Sequence, residues 1–178
     1  MSDTAKHEFS RPLNADRVNV GQPRTENISA NEAERAALAE RFGLLALDKL
    51  TATLNITRLP DSPAIVLVEG RLHAMLTQAC VVTLEPLPVH VNEEFSTELA
   101  SPEYIEKYLA EHGEEDLDAP EAIEHGHIDL GEIVAQYLAL ALDPYPRKEG
   151  LPEPTEEAPL DEARQNPFAV LASLKKEN

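Results

Sequence analysis

A single cysteine, six histidines and a dense run of carboxylates are the side chains with the greatest chemical potential in this chain. Cys80, within Gln78-Ala79-Cys80-Val81-Val82-Thr83, would serve as a metal ligand or a nucleophile. A zinc site takes about four ligands, usually from close cysteine pairs, and this chain has no second cysteine. In strand phase Cys80 falls on the side of Leu72, Ala74 and Leu76, where a free thiol packs as a small apolar group. That packing role is the expected one.

His125-Gly126-His127 with Asp129, and His112 nearby, offer imidazole and carboxylate to a divalent ion. Gly126 loosens the segment and nothing fixes the rings, so no metal is expected. His73 and His90 fall on strands joined by a turn and would face one another there, but no nucleophile or orienting group completes a catalytic set. Glu111, Glu114, Glu115, Asp116, Asp118, Glu121 and Glu124 place seven acids in one stretch without Lys or Arg. A catalytic carboxylate needs a pocket that perturbs its pKa, and a run of exposed acids builds none. There is no phosphate-cradling glycine loop, no Gly-x-Ser-x-Gly and no His-Glu-x-x-His. The reading is a noncatalytic chain without cofactor, whose acids form a solvated loop and steer a basic protein partner.

Composition sharpens that reading. The 178 residues carry 15 Lys and Arg against 33 Asp and Glu, a net charge of −18, with 42% apolar and 4% aromatic residues and no Trp. Phosphate affinity rests on Lys and Arg releasing counterions, and single-strand binding rests on aromatic stacking platforms. Extended nucleic-acid contact is therefore disfavoured. A lone cysteine fits a reducing compartment. Met1 to Ser10 has no apolar signal core and no stretch approaches membrane-spanning length, so a cytoplasmic location is expected.

The elements that must position these residues follow from period. Phe9, Leu13, Val18 and Val20 suggest two short strands around turn-prone Pro12, Asn14 and Asp16. Ser29-Ala30-Asn31-Glu32 reads as a capping box opening a helix to Phe42, with Gly43 as its left-handed stop. Leu50, Ala52, Leu54 and Ile56 then alternate as a half-buried strand, and Leu59 to Pro63 turns the chain. Val66, Val68, Leu72, Ala74 and Leu76 line one side of a second strand, with Glu69, Arg71, His73 and Thr77 opposite. Glu85-Pro86-Leu87-Pro88 breaks this run before Val89, Val91 and Phe95. Adjacent strands so joined pair antiparallel.

Pro102 to Glu111 has helical spacing at Tyr104, Ile105, Tyr108 and Leu109. Asp129 caps the strongest helix, with Glu132 three residues on and an apolar stripe of Leu130, Ile133, Val134, Tyr137, Leu138 and Ala141. Ala139, Leu140 and Leu142 add apolar residues on its other face, which suggests a central core helix, and Pro144 and Pro146 stop it. From Lys148 a Pro- and Glu-rich linker leads to Asn166-Pro167 and a short amphipathic helix with Phe168, Leu171 and Leu174 on one face. This helix docks either on its own sheet or in a partner's groove. The expected fold is α+β: an antiparallel sheet of about five strands with helices mainly on one face. It comprises a single domain over residues 1–147 and a linker with terminal helix over 148–178.

Three blocks then carry a family resemblance: Gln78-Ala79-Cys80-Val81-Val82-Thr83-Leu84-Glu85-Pro86, Ile128-Asp129-Leu130-Gly131-Glu132 running to Leu140-Ala141-Leu142-Asp143-Pro144-Tyr145-Pro146, and Asn166-Pro167-Phe168-Ala169-Val170-Leu171. In this order the chain resembles the YceD family, large ribosomal RNA subunit accumulation proteins, from Phe9-Ser10-Arg11-Pro12 to the tail. The resemblance implies a role in accumulation or processing of large-subunit (23S) rRNA and no catalytic residues. It gives Cys80, Glu85, Pro86, Asp129, Leu130, Asp143 and Pro144 a structural role. Many relatives carry Cys-x-x-Cys in the first block; Thr83 stands in the second place here, which removes that ligand. The partner so implied is a basic ribosomal protein or a pre-50S particle, contacted through Glu111 to Glu124 and through Phe168, Leu171 and Leu174. The alternative is direct rRNA binding by a local patch, for which Arg11, Arg17, Arg24, Arg58, Arg71 and Arg147 would have to cluster.

Overall fold

In the computed structural model, residues 8–62, 64–113 and 119–151 are described. The chain divides into two units, Met1–Lys148 and Glu149–Asn178. The first unit is α+β. Its elements in chain order are β1 (Pro12–Asn14), β2 (Arg24–Ser29), α1 (Glu32–Arg41), β3 (Ala46–Arg58), β4 (Ile65–Ala79), β5 (Pro86–Ala100), α2 (Pro102–His112), β6 (Glu121–Ala122), β7 (His127–Asp129) and α3 (Leu130–Ala141). One 3-10 turn, Ala15–Arg17, follows β1.

The sheet order is β2-β3-β4-β5-β6, while β1 and β7 form a separate two-stranded ribbon. Strands β2 through β5 pair antiparallel; β6 joins β5 in parallel over two residue pairs, Leu99 with Glu121 and Ala100 with Ala122. Alternation explains the one-sided core. Leu50, Ala52, Leu54 and Ile56 of β3 and Val66, Val68, Leu72, Ala74 and Leu76 of β4 are all buried, and they form one cluster with Leu38 of α1 and Leu130, Ile133, Val134 and Leu138 of α3. The opposite face is polar in register, with rows such as Thr51–His73–Asn92 and Thr53–Arg71–Glu94. Apolar residues at period two thus bury one face, while hydroxyls, amides and charges keep the other in water.

Two glycines fix the packing. A Cβ on Gly70 would lie 2.2 Å from Phe95 Cζ, so the phenyl ring occupies the place a side chain would take. That ring stacks on Tyr137 with centroids 4.2 Å apart. A Cβ on Gly131 would meet the Phe9 carbonyl oxygen at 2.1 Å, which is how the N-terminal segment crosses closely over the first turn of α3.

Several sequence expectations are corrected. The cap of α1 is Asn31, not Ser29, and its capping-box partner is Glu34. Ser29 is held instead as the last residue of β2, opposite Thr51; strand pairing outweighs the local cap. Pro12 and Asn14, expected as turn residues, form β1 against β7, and Val20 is half exposed in a single bridge to Arg58. Pro86 and Pro88 do not break the run but lie within β5, opposite Ala79 and Thr77. Their outer side has no strand neighbour among the described residues, the setting in which a strand tolerates a missing N–H. The run Glu111 to Glu124 is not one loop: Glu111 belongs to α2, Glu121 to β6, and Ile123 is buried. Of the residues expected on the second apolar face of α3, Ala139 and Leu140 are exposed, Leu140 at 79%, while Leu142 packs against the core.

Candidate functional site

The connection Cys80–Glu85 is a tight knuckle. The Cys80 N–H donates to the Glu85 carbonyl at 2.9 Å, the Leu84 N–H donates to the Cys80 carbonyl at 2.9 Å, and Leu84 has a positive φ of 60°. Cys80 is fully buried. Its sulfur faces donors: the Thr83 hydroxyl first, then the N–H groups of Thr83, Lys148 and Val82, which together bring the thiol down to about 6. The Lys148 N–H lies 3.4 Å from the sulfur. Thr83 therefore contributes donors where a second cysteine would contribute a ligand. The Lys148 ammonium pairs with Glu85 at 2.9 Å and holds that carboxyl below the usual range. Among the described residues no group of three or more His, Cys, Asp or Glu gathers as a metal site.

Asp129 is a structural hub. One carboxylate oxygen caps α3, accepting from the N–H groups of Gly131 and Glu132 at 3.0 and 3.3 Å, and also accepts from Arg11 N–H at 2.7 Å. The other accepts from the Ser10 hydroxyl at 2.6 Å. The same carboxylate thus stabilises the helix dipole and ties down the N-terminal segment. Glu132, buried, takes a bidentate pair from Arg41 at 2.8 and 3.0 Å. Leu130 is buried beside it.

Four of the six candidate arginines are engaged within the fold. Arg11 is bidentate to Glu34 at 2.8 and 2.9 Å, which lowers the Glu34 carboxyl; Arg24 pairs with Glu26; Arg71 pairs with Glu94. Arg58 donates to the carbonyls of Val18 and Ala15 at 3.0 and 2.7 Å. Arg11, Arg24 and Arg71 are thus committed to carboxylates and Arg58 to holding the N-terminal turn.

Carboxylates, by contrast, accumulate along the β5 edge of the sheet, on both of its faces. Between residues 93 and 124 the sequence has twelve Asp and Glu and one Lys. Among the described ones, Glu93, Glu94 and Glu98 are exposed on β5, Glu103, Glu106 and Glu111 on α2, and Glu121 and Glu124 on and beside β6. Strand β6 pairs with the end of β5 and touches α2, so these acids share one flank. Of the seven acids singled out by sequence, Glu111, Glu121 and Glu124 are on this flank; Glu114, Glu115, Asp116 and Asp118 lie outside the described residues, as do Phe168, Leu171 and Leu174. Glu121 also accepts from the Thr97 hydroxyl at 3.0 Å.

A second feature escaped the sequence reading. Six of the eight exposed large apolar side chains among the described residues, Leu45, Val81, Val82, Leu84, Leu140 and Tyr145, gather where β3 begins, β4 ends and α3 stops. Backbone bonds from Leu45 N–H to Thr77 O at 2.8 Å and from Val81 N–H to Pro146 O at 2.9 Å bind these segments together, and Gln78 Nε2 reaches Asp143 O at 2.9 Å. A groove of about 330 Å³ between them is lined by Phe42, Val81, Leu142 and Pro144 among others. Apolar clusters of this kind mark interaction surfaces. The signal in sequence was the Val81-Val82 pair and Leu84, within a block read there as a tight connection between core strands.

The histidines remain apart. His73 is opposite Asn92 and His90 opposite Met75, so they are diagonal neighbours, not a facing pair. His112 Nδ1 lies 2.9 Å from Tyr108 O and its ring stacks on Tyr108. His125 and Gly126, both at positive φ, form the turn between Glu124 and His127.

A comparison with protein-family models matches residues 68–175 to the family described as large ribosomal RNA subunit accumulation protein YceD. The matched span covers more than half the chain and includes the Cys80 knuckle, the acidic flank and the Asp129 helix; it starts inside β4, so the Phe9-Ser10-Arg11-Pro12 block lies outside it. No curated protein and no solved structure gives a significant match.

Proposed function

Because the chain belongs to the YceD family of large ribosomal RNA subunit accumulation proteins, we propose that it acts in that process as a noncatalytic factor docking on a basic ribosomal protein. The observation that carries this reading is the charge distribution. Twelve carboxylates between 93 and 124 meet one lysine there, while Arg11, Arg24 and Arg71 are each paired with a carboxylate. A surface so arranged repels phosphate, because affinity for nucleic acid depends on cations that displace counterions. It attracts a cationic protein and raises its encounter rate.

Ribosomal proteins are strongly cationic, and an acidic escort would screen one from nonspecific RNA until it is placed. The exposed charges supply steering; the apolar cluster around Val81, Leu84 and Tyr145 would supply the desolvated anchor, where binding energy concentrates. The segment with Phe168, Leu171 and Leu174 is proposed as a further anchor. The test is reversal of Glu111, Glu121 and Glu124 to Lys, followed by association with large-subunit precursor particles across a salt series. Slower association with a flatter salt dependence is expected; an unchanged rate at low salt rejects the acidic flank as the contact.

A further inference from the structure

Among the described residues, the outer edge of strand β5 is paired only at Leu99 and Ala100. The Ser96 carbonyl accepts from the Tyr137 hydroxyl and the Ala100 carbonyl accepts from Ile123 N–H, so both point away from β4. Backbone groups alternate in direction along a strand. The N–H and C=O groups of His90, Asn92 and Glu94 therefore point outward too, and all three residues are exposed. Strand β6 covers only Leu99 and Ala100. No other described strand pairs on this side. The edge between them leads from the acidic flank at one end to the apolar knuckle with Leu84 at the other.

We propose that this edge takes an extended cationic segment of the partner as an added strand. The inference rests on the proposed docking to a basic protein and states how that partner is held. Main-chain bonds to His90, Asn92 and Glu94 would give register, and alternate side chains would face Glu93 on one side of the sheet and Glu98 on the other. Charge selects the occupant. Two copies of this edge would bring like carboxylates together, which disfavours self-pairing. A strand rich in Lys or Arg meets the opposite charge. An apolar residue at the segment's end would reach the Val81, Val82 and Leu84 loop.

The experiment uses the full chain and a synthetic decapeptide of Lys and Thr with Lys on both faces of the extended strand and one terminal Leu. Amide exchange is measured with and without peptide, and binding is compared for wild type, Asn92→Pro, and the triple variant Glu93→Gln, Glu98→Gln, Glu121→Gln. Proline at 92 removes only an outward N–H, so the β4–β5 ladder keeps its bonds. Slowed exchange at His90, Asn92 and Glu94 is expected, with at least tenfold weaker binding by Asn92→Pro at an unchanged salt slope and a flatter slope in the triple variant. Should Asn92→Pro fail to fold, the exchange pattern of the wild type decides alone. Peptide that binds with a salt slope but leaves those amides unprotected overturns strand addition while leaving the basic-partner reading intact. Absence of any salt-dependent binding overturns both.

Discussion

Tyr137 of α3 donates its hydroxyl to the Ser96 carbonyl of β5 at 3.0 Å while its ring stacks on Phe95, the residue next in sequence. This one side chain joins the core helix to the outermost long strand. It also shows which way the backbone of β5 faces, and so which groups its edge offers a partner. Replacing Tyr137 with Phe keeps the stacked ring and removes the hydrogen bond. Stability should fall by about 0.5–1.5 kcal/mol, read as a shift in urea midpoint with unchanged slope. Amide exchange at Asp129 and at the start of α3 should stay as in the wild type, since the loss is confined to the β5 contact.

Leu138 and Ile133 carry the weight of α3 on the sheet, being respectively fully buried and 5% exposed. Leu138→Ala or Ile133→Ala should destabilise by about 2–5 kcal/mol, the usual cost of a core truncation with its cavity. Any loss of particle association should then track unfolding and recover at lower temperature. A melting curve that scarcely moves would contradict this placement of the helix.

Cys80 links the knuckle to pH. Its thiol is lowered from 9.0 to about 6 by the Thr83 hydroxyl and the surrounding N–H donors. Between those values the unfolded chain holds a proton that the folded chain has released, so stability rises with pH across the window. The contribution is present above the unfolded value and is lost as pH falls through about 6. Cys80→Ala should flatten the rise between pH 6 and 9, and Thr83→Val should shrink it, in denaturation series at each pH. Because the sulfur is buried, alkylation of the native protein should stay slow even where the thiolate dominates.

Much of the sheet was legible because β3 and β4 alternate cleanly and each buries one face; Leu54 and Val68 could be placed inside from period alone. Asp129 was legible for the same kind of reason, as a short-side-chain acid directly before an apolar stripe. What sequence could not convey were the long-range bonds that decide close contests. Ser29 looks like a better cap than Asn31 until Thr51 claims it for the sheet. Pro12 looks like a turn until β7 arrives from 115 residues or more away. Pro88 looks like a break until β5 proves to have no described strand beside it there on its outer side. The acids were visible as a run, but their union with Glu93 and Glu98 on one flank depends on β6 joining β5 in parallel, a pairing with no local signature over two residues. The apolar end was hidden because Leu45, Val82 and Tyr145 come from three separate segments.

Competition between polycation and polyanion tests the central claim most directly. The full chain is titrated at about 0.15 M salt, where surface charges are screened beyond roughly 8 Å, with a Lys-rich ribosomal-protein extension in one series and naked 23S rRNA in the other. Saturable binding of the cationic extension in the absence of RNA, weakened by added salt, with no tight complex in the RNA series, is the predicted result. Tight binding of the naked transcript with no protein partner present would contradict it.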